Sequence, residues 1–304
     1  MSTLTVPRDQ LIYAMDRANP PVLRAPSGST LVFQTRDCFE DQIQDAQAQF
    51  TALDWNRINP ATGPVHIEGA EPGDALAIEI IDIRVGSQAV MVTGPDLGVE
   101  GDRLTEPAVR VYPIDGDHVT VSGVRLPLRP MIGVIGTAPA DEPVPNGTPG
   151  DHGGNMDTTV IRAGSTLYLP VNVDGALLAL GDLHAGMGDG EVSVCGLEVP
   201  GEVTLRVTVL KQCRWPLPMV VTDEHLYTIA SALTLDEAAT RATKHMSAIV
   251  QTEAQLSRAD AIGLLSAAGN LQISQVVDPL KTCRFELSLD VLRQLNVALP
   301  GVPA

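Results

Sequence analysis

The chain has 304 residues, a formal charge of −17 and an apolar content of 44%. That length favours two or three packed modules over a single core. The acidity argues against nucleic acid or an anionic membrane as a partner, because both are held by clustered Lys and Arg. No apolar run approaches the roughly 20 residues of a membrane span, and the N-terminal segment lacks a basic stretch followed by an apolar one. Cys38, Cys195, Cys213 and Cys283 are far apart and form no C-x-x-C pair. Reduced thiols and a cytoplasmic location are therefore expected.

Short runs of Val, Ile and Leu between Gly and Pro predict a mainly β fold. Strands are expected at 30–35, 75–85, 109–112, 119–121, 166–170 and 203–210. The last alternates Val203, Leu205, Val207 and Val209 with Thr204, Arg206 and Thr208. Gly28-Ser29-Thr30-Leu31 recurs as Gly164-Ser165-Thr166-Leu167. The segment VHIEGAEPGDALAIEI from Val65 recurs loosely as VSVCGLEVPGEVTLRV from Val192, with one residue inserted. Paired blocks in the same order predict a duplicated, jelly-roll-like β-sandwich, its halves at 1–85 and 131–215. Residues 86–130 read as an inserted small β module, and 138–154 as a loop rich in Pro, Gly, Asp and Asn. Thr234 and Glu237 make a capping box before Ala238, Ala242, Met246, Ile249 and Val250 at helical spacing. A second helix starts at Ser257 and stops at Gly269. With strands at 226–231, 271–277 and 283–287, residues 216–304 form a C-terminal α+β module.

The densest chemistry lies in Gly181 to Glu191, GDLHAGMGDGE, read as the loop between strands at 176–180 and 192–194. Its four glycines let the loop fold its own side chains onto one point. Asp182 and His184 are two apart, share a face of an extended segment, and suit a divalent cation as ligands. Glu191 is the best general base, because the following apolar strand would hold its direction. Asp189 is a second candidate there, as a catalytic acid, a ligand or a capping residue. Gly153-Gly154-Asn155-Met156-Asp157 offers backbone amides, an Asn that hydrogen-bonds an amide, and an Asp that binds metal or orients His184; an Asx-rich turn accounts for it equally well. His66 shares a strand face with Glu68 and borders the pocket if the repeat pairs that strand with the central loop, although an exposed face is the simpler reading. His152 reads as a neighbouring or surface residue. Cys195, between Val194 and Gly196, reads as a packed thiol. No G-x-S-x-G, P-loop, H-E-x-x-H or G-x-G-x-x-G is present.

GDLHAGMGDGEV resembles the glycine- and acid-rich signature of the acetamidase/formamidase family. TRDCFEDQI, NPATGPVHIEGAEPGD, IGVIGTAPA, DHGGNMDT, GSTLYLPVNVDGALLALGDLHA and LQISQVVDP resemble that family in its order, and together cover most of the chain. The resemblance implies that Asp37, otherwise an ordinary turn residue, is a metal ligand beside Asp157, Asp182 and His184. Met187 stands where family members often carry Gln, and Asn270 where Asp is expected. The implied activity is hydrolysis of small amides such as formamide or acetamide by a metal-activated water. Gly154, Asn155 and His66 would bind the substrate, and Glu191 and Asp189 would be catalytic. A divalent cation is expected, zinc ahead of calcium, in a homo-oligomer of two or more copies. A related C–N substrate (a carbamate, lactam or N-substituted amide) and a non-catalytic calcium-binding β-sandwich are the alternatives.

Overall fold

A computed structural model describes residues 3–301. Among these residues the strands form two large sheets, of nine and eleven strands, and a two-stranded ribbon. The fold is mainly β, as the sequence predicts. Leu31, Phe33, Ile78, Leu167, Val203 and Leu205 of the first sheet meet Val65, Ile132, Ile135, Leu178 and Leu183 of the second in one buried core. Two sheets sharing an apolar interior in this way make a sandwich.

The alternation read at 203–210 is realised in the strand Gly201–Leu210, which buries Val203, Leu205 and Val207. That strand pairs with Ser29–Thr35 on one side and with Ala75–Val85 on the other, and Ala75–Val85 pairs in turn with Thr166–Pro170. Each copy's G-S-T-L strand therefore lies against the other copy's long strand. Leu31 sits opposite Leu205, and Leu167 opposite Ile78. The offset between Val65 and Val192 carries through to Ile78 and Leu205, so these strands match without the inserted residue. The two repeats also interlock within one sheet, and do not stand as separate halves at 1–85 and 131–215. Exchange of strands pairs edges that a free-standing half would leave exposed.

The segment 86–130 likewise has no sheet of its own. Gln88–Thr93, Ala108–Asp115, His118–Val121 and Val124–Pro127 form a meander that extends the eleven-stranded sheet through Glu198–Val199. The helices Leu235–Glu253 and Arg258–Ala268 begin where their caps predict: Thr234 accepts from the amide of Glu237, and Ser257 from that of Asp260. Their buried faces join Leu226, Ala230, Phe285 and Leu287 in a second core. The strands beneath them, His225–Ala232, Lys281–Ser288 and Asn270–Gln275, continue the nine-stranded sheet to its edge. No described helix is long and apolar enough to cross a membrane.

One strand positions the chemistry. Leu178–His184 is buried along its whole length, with Met131–Gly136 on one side and Ala61–Glu68 followed by Glu198–Val199 on the other. It runs through to His184, beyond the end predicted at Leu180. The strand expected at 192–194 does not form. Those residues make a turn with Val192 exposed, and the next strand is Glu198–Val199.

Candidate active site

Asp182 and His184 come from the end of the central strand. Asp182 has a φ of 54°, and its place in the ladder falls opposite Gly133, between the pairs Ile132–Leu183 and Val134–Gly181. Asp157 follows the short strand Gly153–Asn155, which pairs with the far edge of Met131–Gly136. Asp157 and Asp182 thus converge over Gly133. A methyl group there would overlap a carboxylate oxygen of each, so a glycine is required by space alone. Gly133→Ala is expected to displace both carboxylates and lower divalent-cation affinity by at least about 10-fold, the lower bound for disturbing groups that support a metal site. Calorimetric titration of cation into wild type and variant measures this.

His184 is fully buried, and its Nε2 faces four carboxylates. Glu198 Oε1 is 3.1 Å away, Asp182 Oδ1 3.5 Å, Asp157 Oδ1 3.7 Å and Glu191 Oε1 4.0 Å. Glu198 is the cross-strand neighbour of His184. It stands close to Nε2 but outside hydrogen-bonding direction, and its Oε1 accepts instead from the Gly196 amide at 2.7 Å. Gly196 also gives the imidazole its space, since a Cβ there would overlap the ring. Asp278 reaches in from the C-terminal module, where Asn155 Nδ2 donates to its Oδ2 at 3.1 Å. Asp37 opens the turn that follows Ser29–Thr35. Its Oδ1 accepts from the amides of Phe39 and Asp41, and it lies near enough to Asp182 to feel that charge.

The electrostatics follow from crowding these acids away from water. Burial pushes Asp37 up to about 7 and Glu198 up to about 8. Burial, with repulsion from neighbouring carboxylates, lifts Asp157, Glu191 and Asp278 well above the usual carboxylate range. For His184, burial opposes the charged form, but Glu198 and Asp182 overcome it and hold the imidazole well above its ordinary value. Burial likewise works against an ionised Asp182, and the charge of His184 wins and holds it low.

Both oxygens of Asp157, Oδ1 of Asp182, both nitrogens of His184, Oε2 of Glu191 and Oε2 of Glu198 are buried without a hydrogen-bond partner. Each such atom costs on the order of 1–3 kcal/mol, more when charged, unless a proton or cation satisfies it. Zinc–ligand bonds of about 2.0–2.1 Å place the ligands of a tetrahedral site roughly 3.3–3.5 Å apart. The distances around Nε2 bracket that spacing, so the residues present fit a divalent cation.

Asn155, Asp182, Glu191, Glu198 and Asp278 line a cavity of about 130 Å³ above this floor. A larger groove of about 900 Å³ beside the two long helices carries no carboxylate or imidazole, and one of about 420 Å³ carries only Asp189 and Glu191; Asp182, Glu191, Glu198 and Asp278 converge on the smallest of the three. Of the residues named from the sequence, Asn155, Asp182 and Glu191 line it, Asp157 and His184 stand behind Asp182 and Glu191, and Asp37, Gly154, His66 and Asp189 lie outside it. Gly154 is held in the ladder opposite Ile135, and its carbonyl accepts from Met156. His66 packs its ring against Gly175. Asp189 is drawn to the rim, where Arg284 binds both its oxygens, at 3.0 and 2.6 Å. Arg284 also donates to Thr158, the neighbour of Asp157, while the Gly190 amide donates to Ser274 O. The C-terminal module thereby clamps the loop that carries Glu191. Arg284→Met is expected to lower stability by about 1–3 kcal/mol, read by chemical denaturation. Cys195 is a packed thiol, pushed up to about 12 by burial and bonded to Val92.

Comparison with known proteins matches the model of the Acetamidase/Formamidase family to residues 16–147 and 144–279. The chain belongs to the acetamidase/formamidase family. The crystal structure of an acetamidase from Bacillus halodurans is 54% identical with a TM-score of 0.95, and the alignment covers 97% of this chain and 100% of that one. A predicted acetamidase/formamidase from Thermoanaerobacter tengcongensis is 45% identical with a TM-score of 0.96, over 98% and 99% of the two chains. A putative formamidase of Schizosaccharomyces pombe is 29% identical over 246 residues, 60% of each chain. This chain thus spans about 60% of the length of that relative. Glu198 and Asp278 stand in the cavity but are not among the residues the sequence singles out. The signal for Glu198 was a carboxylate between Leu197 and Val199 in an apolar run. Asp278 sat in the block LQISQVVDP, which carries the resemblance but reads as an ordinary strand end.

Proposed function

We propose that this chain is an amidohydrolase that cleaves small linear amides of the formamide and acetamide class to carboxylate and ammonia, using a divalent cation, zinc ahead of calcium. The observation that carries this reading is the set of unpartnered buried ligand atoms beneath a small cavity. At ~30 Å³ of liquid volume per water, 130 Å³ equals about four waters, room for a one- or two-carbon amide and its attacking water. Asp157, Asp182 and His184 would hold the cation. When bound, it lowers the pKa of water and polarises the amide carbonyl. Glu191 takes a proton from the attacking water and returns it to the leaving nitrogen as the C–N bond breaks. Asn155 has its amide nitrogen committed to Asp278 and its Oδ1 free, so Oδ1 accepts an N–H of the substrate. Asp37, the fourth ligand the resemblance implies, has its Oδ1 occupied by the amides of Phe39 and Asp41 and in this reading braces its turn near Asp182.

An imidazole at the centre of the donor set favours zinc over calcium, which takes oxygen ligands. Purified protein is expected to release ammonia from formamide or acetamide and to lose that activity on chelation, with recovery on adding zinc. Ammonia release unaffected by thorough chelation would refute the metal-dependent reading. Tightly bound calcium with no release from either amide would support the non-catalytic alternative.

A further inference from the structure

His184 Nε2 is a single donor atom with two claims on it. As a cation ligand it cannot also carry a proton toward Glu198, although Glu198 Oε1 is its nearest carboxylate. Glu198 is 1% exposed, and its Oε2 has no partner. No Lys or Arg lines the cavity, and the buried Arg284 is committed to Asp189. Glu198 is therefore a buried side chain beside the first site with a ligand atom that no donor reaches.

Two other ligand groups meet Glu198 at that point. Cys38 Sγ, an oxygen of Asp182 and an oxygen of Glu198 lie within 4.8 Å of one another, all buried. Asp157, His184 and Glu191 form a separate trio with the same spread. Asp182 has two oxygens and stands between the groups, its Oδ1 aimed at His184. A thiolate with two carboxylates is a donor set for a borderline cation such as zinc and a poor one for calcium or magnesium. Cys38 adjoins Asp37, whose capped turn fixes the chain there.

We propose that Cys38, Asp182 and Glu198 form a second divalent-cation position beside the first, with Asp182 shared between them. This rests on the first cation being held by Asp157, Asp182 and His184. The second cation would satisfy the Oε2 of Glu198, which no donor reaches. It also gives Cys38, otherwise one of several buried thiols, a ligand's role.

Cobalt(II) titration of chelator-stripped protein tests this, with elemental analysis of the dialysed product and a melting curve to confirm folding. Wild type is expected to bind about two equivalents and to show a near-ultraviolet thiolate-to-cobalt charge-transfer band. Cys38→Ser should abolish the band and Glu198→Gln should weaken it, each leaving about one equivalent. His184→Ala should retain the band while also falling to about one equivalent. One equivalent in wild type with no such band would overturn the second position and leave the single-cation reading intact. No bound metal at all would bring down both. If Cys38→Ser does not fold, the wild-type band and the Glu198→Gln stoichiometry still decide.

Discussion

Glu191→Gln is expected to lower kcat by a factor of ~10²–10⁴, the usual loss when a general base is removed from an intact site. That corresponds to about 3–5 kcal/mol of transition-state stabilisation. Glu191 lines the cavity, is 6% exposed, and has an Oε2 bonded to nothing. Its backbone sits at a φ of 47°, in a turn closed by Glu191 N to Gly188 O and by Val194 N to Glu191 O. The turn, in place of the predicted strand, is what fixes its direction. Burial, aided by Asp157, raises its carboxyl well above the ordinary range, which suits a group that must hold a proton between two transfers. Glutamine keeps the size and the hydrogen bonding but cannot accept that proton. The variant should retain its metal and its substrate affinity. Loss of metal would make Glu191 a ligand and move the base to Asp278, which also lines the cavity; the rim position of Asp189 excludes it from that role. A near-normal kcat would sink the mechanism.

What was legible in the sequence divides along physical lines. The caps at Thr234 and Ser257 are local hydrogen bonds between residues three apart, and both occur as read. The alternation at 203–210 encodes a two-faced strand, and that face is buried. Which strand it pairs with is a non-local fact. The same pattern is satisfied whether the copies stand apart or interlock, so only the structure reveals the exchange. The site follows the same division. Asp182, His184, Asp157, Asn155 and Glu191 all sit in glycine-rich segments whose composition advertises close approach, and the structure brings them together. Asp189 shares that composition, but its direction is set by Arg284, nearly a hundred residues later. Glu198 was hidden because one carboxylate in a strand pattern reads as a solvent-facing residue, whereas its cross-strand partner is a buried histidine. Asp278 meets Asn155 across a separation of 123 residues, beyond any local signal.

The stripped protein should become less stable as pH rises from about 5 to about 8, opposite to the trend set by paired surface acids. A carboxyl raised by burial keeps its proton in the native state after the unfolded chain has lost it. The native state then binds more protons, and stability falls with pH between the unfolded and folded values. For Asp37 that window runs from 3.8 to about 7, and for Glu198 from 4.5 to about 8. Asp157, Glu191 and Asp278 act in the same direction. His184, raised above 6.5, also loses its contribution as pH climbs. Asp182 is lowered, so its contribution fades only as pH falls below about 4 and does not oppose the trend here. At ~1.4 kcal/mol per pKa unit, the part above pH 5 is worth up to about 3 kcal/mol for Asp37 and about 4 for Glu198, and at ~2.1 cal/mol/K per residue Tm moves by roughly 1.6 °C per kcal/mol in this chain. A decline on the order of 10 °C in chelator is therefore expected between pH 5 and pH 8. Cation binding requires the deprotonated ligands, so zinc should raise Tm most at pH 8 and flatten or reverse the slope. Melting curves across that range, with chelator and with zinc, measure both effects. A Tm in chelator that stays level or rises toward pH 8 would show that these buried carboxyls are compensated by something other than protons or a cation.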